Sequence, residues 1–269
     1  MLSITEREYV VLADYIRKHL GIDLGASKKL LVQSRLQQTL EKLRISTFEQ
    51  YYRFLLQDST GAARKELAAR LTTNHTYFMR ETDHFEFLQR QVLPEMEERV
   101  TDRDLRIWSA GCSSGQEPYT LAMLLSDYFG QGYDLWDTKI LATDLSPKVL
   151  EQAKQGIYKS EDVSQLPGNW IRKYMQPEAG GGYRIKQKLR QEVLFRPLNL
   201  IHPFPFRRHF HVIFCRNVMI YFNAQLREDL LRRFYDRLAP GGYLFIGHSE
   251  SLQGMDTPFK YVRPAVYRK

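Results

Sequence analysis

The sequence predicts an α/β protein in which an all-α N-terminal region precedes a mostly parallel β-sheet with helices on both faces and a small antiparallel insertion. Three observations support this prediction. Residues 1–72 carry apolar side chains at helical spacing, short apolar runs alternate with helical stretches from residue 105 onward, and a glycine-rich segment interrupts that alternation. With 269 residues, 43% of them hydrophobic, the chain is long enough for one large domain or two modest ones.

The N-terminal region begins with a helix signature. Thr5 followed by Glu8 is a capping box, and Leu12, Ile16 and Leu20 then recur at helical spacing. A second apolar stripe comprises Leu36, Leu40 and Leu43. We therefore predict a small helical domain over residues 1–72.

Most of the positive charge lies in this region. The chain has 39 Lys and Arg against 31 Asp and Glu, a formal charge of +8; residues 1–80 hold 13 of the basic and 8 of the acidic residues, and so contribute +5. Residues 28–44 contain a single acidic residue, Glu41, and five basic ones: Lys28, Lys29, Arg35, Lys42 and Arg44. They form either a solvated helix face or a docking surface for an acidic partner. Composition alone does not decide whether that partner is nucleic acid, an anionic membrane surface or a protein.

Residues 73–100 connect the two regions. Residues 73–81 are polar and aromatic without a clear period, whereas residues 83–100 carry Phe85, Leu88, Val92 and Met96 at helical spacing. We predict a joining helix there in spite of Pro94.

Five apolar runs predict the strands of the sheet: residues 105–109, 139–143, 193–198, 211–215 and 243–247. Helical stretches at residues 118–128, 147–155 and 225–238 alternate with them. Residues 259–262 and 265–267 are expected to close the sheet as an antiparallel pair.

The insertion is predicted at about residues 172–192. After three glycines at 180–182, every second residue is basic, which predicts a strand with Arg184, Lys186, Lys188 and Arg190 on one face. Such a strand is either a sheet edge protected by charge or an exposed strand offered to an incoming peptide.

Small and polar residues follow the predicted strands, where an open α/β sheet binds its ligands. The turn AGCSSGQEP at 110–118 lacks both the dinucleotide fingerprint and the P-loop, so a nucleotide phosphate is disfavoured. Asp144 ends the second strand and is suited to ribose hydroxyls, or alternatively caps the next helix. Asn199 and Leu200 follow the third strand, and Arg216 and Asn217 follow the fourth. This series predicts an adenosine-type ligand without a long phosphate chain.

The sequence argues against several other classes of protein. Two cysteines, Cys112 and Cys215, are too few for a disulfide framework, and no zinc-ligand spacing occurs, so no metal site is expected. His248, Ser249 and Glu250 are adjacent and cannot all converge on one substrate atom, so no hydrolase is proposed. There is no apolar run of membrane-span length and no signal-peptide pattern, so we expect a cytoplasmic protein without membrane insertion.

Five motifs in order resemble the chemotaxis receptor methyltransferases, the CheR family. They are TNHTYFMRE at 73–81, AGCSSGQEPY at 110–119, ATD at 142–144, CRNVMIYF at 215–222 and GHSE at 247–250. The resemblance implies a class I, Rossmann-like methyltransferase domain at 101–269. It also implies transfer of a methyl group from S-adenosylmethionine, leaving S-adenosylhomocysteine, to glutamate carboxylates of methyl-accepting chemoreceptors.

The resemblance also implies roles for individual residues. Asn74, Thr76 and Arg80 would close over the methionine end of the cofactor, and Glu117 would bind its ammonium. Asp144 would hold the ribose, while the remaining cofactor residues would be Gly111, Asn199, Leu200, Arg216 and Asn217. Arg80 and Tyr221 are the candidate catalytic residues.

Further expectations concern partners. The basic helix, which carries Lys28, Lys29, Arg35, Lys42 and Arg44, would dock the acidic methylation helices of a receptor. A receptor C-terminal tail would pair with the insertion through Gly180, Gly182, Tyr183, Arg184, Lys186 and Lys188. The enzyme would be a monomer recruited to membrane receptor arrays. A glutamate carboxylate is ionised at neutral pH, so the reaction requires no general base.

Two alternatives stay open at this stage. A nucleic-acid methyltransferase would suit the positive charge, although the sequence after the fourth strand, NVMI at 217–220, lacks the Asn/Asp-Pro-Pro-aromatic tetrad of many base methyltransferases. A non-catalytic receptor-binding module is the second alternative.

Overall fold

Four helices form the N-terminal part of the computed structural model, which describes residues 2–72 and 75–269. They are α1 Glu6–Leu20, α2 Lys29–Leu43, α3 Phe48–Gln57 and α4 Ala62–Leu71. The predicted capping box begins α1, because Thr5 Oγ1 accepts from the Glu8 N–H at 3.2 Å and the Thr5 N–H donates to Glu8 at 2.9 Å. Leu12, Ile16 and Leu20 are buried, which confirms the predicted stripe.

The chain groups into two units. The first comprises Met1–Asn74 with Tyr221–Arg227, and the second comprises His75–Ile220 with Glu228–Lys269. The short second segment joins the helical unit through an antiparallel bridge between Ile22 and Phe222. None of the helices in the described ranges is long and apolar enough to cross a lipid bilayer.

The second unit contains ten strands and most of the remaining helices. The strands are β1 Ile107–Ala110, β2 Ile140–Asp144, β3 Ile157–Tyr158, β4 Met175–Pro177, β5 Tyr183–Ile185, β6 Val193–Pro197, β7 Phe210–Cys215, β8 Leu238–Ile246, β9 Lys260–Arg263 and β10 Val266–Arg268. The helices are α5 Thr82–Phe87, α6 Leu93–Arg99, α7 Gln116–Phe129, α8 Pro147–Gln155, α9 Gly168–Tyr174, α10 Gln187–Arg190 and α11 Ala224–Arg237, which begins in the segment grouped with the first unit.

Seven of these strands form the central sheet, in the order β6-β2-β1-β7-β8-β10-β9. The pairs from β6 to β8 are parallel, while β10 pairs antiparallel with both β8 and β9. Every residue of β1 is buried, as expected for a strand covered on both faces. The predicted fold class, the five strands and the closing antiparallel pair are confirmed.

The joining helix is continuous from Thr82 to Arg99 but contains a π-helical turn at Leu88–Val92. Pro94 lacks an N–H and its ring clashes with a preceding carbonyl in a regular α-helix. A π-turn just before the proline changes the hydrogen-bond pattern where that clash would fall. The predicted helix is therefore confirmed, and Phe85, Leu88, Val92 and Met96 are buried.

The insertion forms a separate antiparallel sheet in the order β3-β5-β4. The prediction of one strand over residues 183–190 is wrong: β5 ends at Ile185, and residues 187–190 form the short helix α10. The Lys186 N–H donates to the Tyr174 carbonyl at 2.8 Å, and Leu189 is buried against the core. Burial of Leu189 thus outweighs the period-two pattern of charge, and Lys188 and Arg190 do not share a strand face with Arg184.

Candidate active site

The turn between β1 and α7, residues 111–115, is held by hydrogen bonds along its backbone. The N–H groups of Gly111 and Cys112 both donate to the Thr143 carbonyl, at 2.8 and 2.9 Å, and the Gly115 N–H donates to the Cys112 carbonyl at 3.1 Å. Gly111 has φ +85°, and a Cβ there would lie 2.4 Å from Val218 Cγ2. Glycine is therefore required at 111, because the turn that follows β7 packs too closely against this residue to leave room for a side chain. We refer to residues 111–115 as the β1–α7 turn.

Asp144 lies at the carboxyl end of β2, beside this turn. Its Oδ2 accepts from the Ser113 N–H and its Oδ1 from the Ser146 N–H, both at 2.9 Å. Burial raises the pKa of Asp144, against the effect of these backbone hydrogen bonds. Ser146 is itself the N-cap of α8 and, in the described part of the chain, no side chain caps that helix, so the contact is a turn bond just before it, and each carboxylate oxygen retains a lone pair.

Glu117 and Arg216 form an ion pair within the same edge of the sheet. Arg216 Nη1 lies 3.1 Å from Glu117 Oε2, and the two side chains are 3% and 15% exposed. Ser109, on β1, donates its hydroxyl to Glu117 Oε1 at 2.7 Å. Burial raises the pKa of Glu117, and this effect exceeds the lowering by the Arg216 charge and the Ser109 hydrogen bond. A cationic ligand at this carboxylate would favour its ionised form.

Glu81 belongs to the motif at 73–81, but the sequence assigned it no role in the site. Its Oε2 lies 3.0 Å from Arg216 Nη2 and 3.1 Å from Arg216 Nε. Its Oε1 accepts from the His248 N–H at 3.2 Å and from Asn217 Nδ2 at 3.4 Å. Although burial opposes ionisation, the Arg216 charge and the His248 N–H lower the pKa of Glu81. Glu81 thus keeps Arg216 and Asn217 in place from positions 135 and 136 residues away in sequence.

Glu250, which the sequence analysis considered only as part of a triad that cannot converge, accepts several backbone hydrogen bonds. Its carboxylate accepts the N–H groups of Gly247 at 2.6 Å, Asn217 at 2.9 Å and Ile220 at 3.1 Å. Burial raises the pKa of Glu250 despite these contacts. The signal available in the sequence was a carboxylate a few residues after a buried strand, which requires donors nearby if it is itself buried.

The connecting segment contributes Arg80 and Thr76. Arg80 Nη1 donates to the His75 carbonyl at 2.6 Å, its guanidinium lies 5.9 Å from the Tyr77 ring centre, and its own carbonyl accepts from Arg216 Nη2. Thr76 is half-buried in the same stretch. Asn74, the third residue predicted here, lies outside the described residues.

The remaining predicted cofactor residues follow β6. The Leu198 N–H donates to the Asp144 carbonyl at 3.0 Å, which brings the segment after β6 to the end of β2. Asn199 Oδ1 accepts from the Ile201 N–H at 3.2 Å, and Leu200 is buried. Tyr221, a predicted catalytic residue, belongs to the helical unit, where its carbonyl accepts from the Asp23 N–H at 2.8 Å.

The five basic residues of the helical unit differ in their surroundings. Arg35 donates to the Leu71 and Arg70 carbonyls at the end of α4, and Lys29 pairs with Glu6 at 2.7 Å. The other three, Lys28, Lys42 and Arg44, are exposed. A docking role is therefore better supported by the positions of these three than by those of Arg35 and Lys29.

The predicted tail-binding residues are also partly engaged within the protein. Arg184 forms two hydrogen bonds with Glu178, at 2.6 and 2.8 Å, Lys186 donates to the Arg172 and Lys173 carbonyls, and Lys188 pairs with Asp134 at 3.0 Å. Strand β5, which holds Tyr183 and Arg184, lies between β3 and β4. Both alternatives for Tyr183–Ile185, a sheet edge protected by charge and an exposed strand, are therefore wrong, because both edges of β5 are already paired. The preceding Gly180 and Gly182 lie in the turn before β5.

Glu81, His84 and His248 meet the distance condition for a metal site, since one possible ligand atom from each lies within 4.8 Å of the others. Burial, followed by the Arg216 charge, lowers the pKa of His84 to about 4, so its ring is neutral. The Glu81 oxygens, however, already accept from Arg216, Asn217 and the His248 N–H. A cation bound there would lie beside the Arg216 guanidinium, so we assign the group to the support of Arg216.

Comparison with known proteins identifies the family. The model of the CheR methyltransferase SAM-binding domain matches residues 74–267, and that of the CheR methyltransferase all-alpha domain matches residues 7–72. The chemotaxis protein methyltransferase of Borreliella burgdorferi is 40% identical over 100% of this chain and 96% of its own length. Cher2 of Pseudomonas putida is 36% identical over 93% of this chain and 92% of its own. Chemotaxis protein methyltransferase 1 of Pseudomonas aeruginosa is 36% identical over 97% and 96%. The chain therefore belongs to the CheR methyltransferase family and uses S-adenosylmethionine as its cofactor.

Proposed function

We propose that this protein methylates glutamate side-chain carboxylates on the cytoplasmic helices of chemoreceptors, giving glutamate methyl esters. The family and the chemotaxis relatives support this activity. The observation that carries it is the buried Arg216, paired with both Glu81 and Glu117 at the edge of the sheet where Asp144 ends β2. In this arrangement Glu117 would be available to the cofactor's ammonium while Glu81 holds Arg216 in place, and neither carboxylate would act as a general base.

The residues present fit S-adenosylmethionine. Asp144 would accept the ribose hydroxyls with the lone pairs that Ser113 and Ser146 leave unused, and Glu117 would bind the ammonium. Asn199 and Leu200 would flank the adenine, and Arg216 and Asn217 would line the floor of the site. Gly111 supports the site by allowing the close packing of its turn against Val218. Asn74, Thr76 and Arg80 would close over the methionine end.

When bound, the sulfonium supplies an electrophilic methyl group. The protein has to align the substrate carboxylate with that methyl group and to exclude water, which is catalysis by orientation. Arg80 uses one of its nitrogens on the His75 carbonyl, and the guanidinium keeps further N–H groups for a carboxylate. That carboxylate would belong to the cofactor or to the substrate glutamate. Tyr221 would lie near the transferred methyl, as the resemblance to the family implies.

The partners and domain roles belong to the same proposal. Residues 1–72 would dock the receptor's methylation helices through the basic helix, residues 73–100 would link the domains, and residues 101–269 would bind the cofactor and carry out transfer. A receptor tail would add to the insertion at an edge strand, β3 or β4, because β5 is already paired on both sides. The enzyme would act as a cytoplasmic monomer recruited to receptor arrays.

One labelling experiment tests the activity. The protein is incubated with methyl-labelled S-adenosylmethionine and either receptor-containing membranes or nucleic acid, and the products are then treated with alkali. Carboxyl methyl esters release methanol in base, whereas methylated bases and amines retain their label. Volatile label from the receptor, lost when its acceptor glutamates are replaced by alanine, would support the proposal. Label in nucleic acid, or none in either sample, would contradict it.

A further inference from the structure

Tyr158 is a buried residue that contacts three parts of the second unit. Its hydroxyl donates to the Ser114 carbonyl at 2.7 Å, in the β1–α7 turn. Its ring packs edge-on against Phe78 of the connecting segment, with ring centres 4.8 Å apart. Its backbone pairs with Tyr183 of β5 in the insertion. One side chain therefore joins the small sheet to the turn beside Asp144.

The peptide group between Ser114 and Gly115 is fixed at both ends. Tyr158 binds its carbonyl, and the Cys112 carbonyl accepts its N–H at 3.1 Å. The preceding residue, Ser113, gives its N–H to Asp144 Oδ2 at 2.9 Å. Because these groups are consecutive in one short turn, loss of the Tyr158 hydrogen bond would loosen the donor that orients the Asp144 carboxylate.

Gly182, in the turn before β5 of the small sheet, packs against the backbone of Tyr158. A Cβ at Gly182 would lie 2.3 Å from the Tyr158 carbonyl oxygen, so the turn before β5 is in direct contact with the backbone of β3. A displacement of that turn therefore acts on Tyr158 directly. Gly181 has the same φ of +86° but no atom within 4 Å of its Cβ position.

We propose that Tyr158 is a positioning residue for the cofactor site, and that it transmits changes in the small sheet to the β1–α7 turn. The inference rests on the proposed placement of the cofactor ribose at Asp144. It assigns to the insertion an effect on cofactor affinity in addition to any binding of a partner.

The first test compares Tyr158→Phe with Tyr119→Phe. Tyr119 is also a buried tyrosine near the same cluster, but its hydroxyl donates to the Ala153 carbonyl at 2.8 Å and not to the turn. We expect Tyr158→Phe to raise the Kd for S-adenosylhomocysteine and the KM for S-adenosylmethionine by about fivefold while kcat changes by less than about twofold, as for the loss of one neutral hydrogen bond. Tyr119→Phe should leave the Kd nearly unchanged. Unchanged affinity in Tyr158→Phe, or an equal loss in both variants, would overturn the positioning role.

The second test uses the matched glycines. Gly182→Ala and Gly181→Ala introduce the same backbone strain, but only the former contacts Tyr158. We expect Gly182→Ala alone to weaken S-adenosylhomocysteine binding, and to have little further effect when Tyr158 is already phenylalanine, a non-additivity that a double-mutant cycle measures. Equal effects of the two alanines, or additivity with Tyr158→Phe, would overturn the transmission. In every case, methyl transfer by the unmodified protein reports separately on the proposed function.

Discussion

Arg216 binds Glu117 through Nη1 at 3.1 Å and Glu81 through Nη2 at 3.0 Å, so one guanidinium joins the first turn of α7 to the residue before α5. Both carboxylates are largely buried, and Arg216 itself is 3% exposed. The side chain's geometry therefore matters in addition to its charge, because a planar fork can serve two acceptors at once.

Replacing Arg216 by lysine tests this geometry. Lysine keeps the positive charge but cannot reach Glu81, Glu117 and the Arg80 carbonyl together, so at least one buried acceptor loses its donor. We expect kcat/KM for S-adenosylmethionine to fall at least about tenfold, since hydrogen bonds to charged groups contribute about 1.5–3 kcal/mol. The control is Arg232→Lys, in an exposed pair with Asp256, which should change little. Activity retained in Arg216→Lys would show that charge alone suffices.

The raised pKa of Glu117 predicts that cofactor affinity decreases at low pH, which gives the plot of affinity against pH an acid limb. Burial holds this pKa above the ordinary value of 4.5 in the free protein, and only the ionised carboxylate attracts an ammonium. While the ligand's ammonium stays protonated, affinity for S-adenosylhomocysteine should therefore be constant above that raised pKa and fall as pH decreases through it. Calorimetric titration over a series of pH values measures it.

Ser109→Ala supplies the discriminating variant. The Ser109 hydroxyl stabilises the ionised form of Glu117, so its removal should raise the pKa of Glu117 further and move the acid limb to higher pH. Glu117→Gln should bind weakly and without this limb. A limb that stays in Glu117→Gln would have to come from another group.

Glu250→Gln should loosen the floor of the site. The carboxylate accepts three backbone N–H groups, and the amide nitrogen of glutamine cannot accept any of them. We expect the free energy of unfolding to fall by about 1–3 kcal/mol, together with weaker cofactor binding. Denaturant unfolding measures the change, with the exposed Glu161→Gln as control. Stability equal to that of the unmodified protein would argue against the role given to Glu250.

Reversing the charge of the exposed basic residues tests receptor docking. The triple variant Lys28→Glu, Lys42→Glu and Arg44→Glu should raise the KM for receptor about tenfold and reduce its dependence on salt, while the KM for S-adenosylmethionine stays the same. Lys139→Glu with Lys260→Glu alters exposed lysines of the other unit, outside the insertion, and serves as the control. A receptor KM unaffected by the triple change would place docking elsewhere.

The strand-end residues were predictable because parallel strands bring their carboxyl ends to one edge of a sheet. Asp144, Arg216 and the β1–α7 turn therefore come together without knowledge of the side-chain contacts. Glu81 and Glu250 were not predictable in the same way. Their partners lie in distant segments, and only the folded chain brings those donors to them.

The insertion shows where sequence patterns fail. Alternating charge predicted one strand through Arg190, but a pattern of exposed residues does not fix the backbone when a single apolar residue can be buried instead. Leu189 is that residue, and it converts the second half of the segment into a short helix. Tyr158 carried no signal at all, because its role depends on a hydrogen bond to a backbone carbonyl.

The position of the small sheet in the chain has an evolutionary consequence. Strands β2 and β6 are parallel neighbours, and α8 alone would complete the crossover between them, so the segment that follows α8 is an addition that the central sheet does not need. Such a segment can diverge in length and sequence, and so alter what the enzyme recognises, while the methyl-transfer chemistry is retained. Tyr158 marks the limit of that freedom, since an exchanged insertion without it would have to hold the β1–α7 turn by other means.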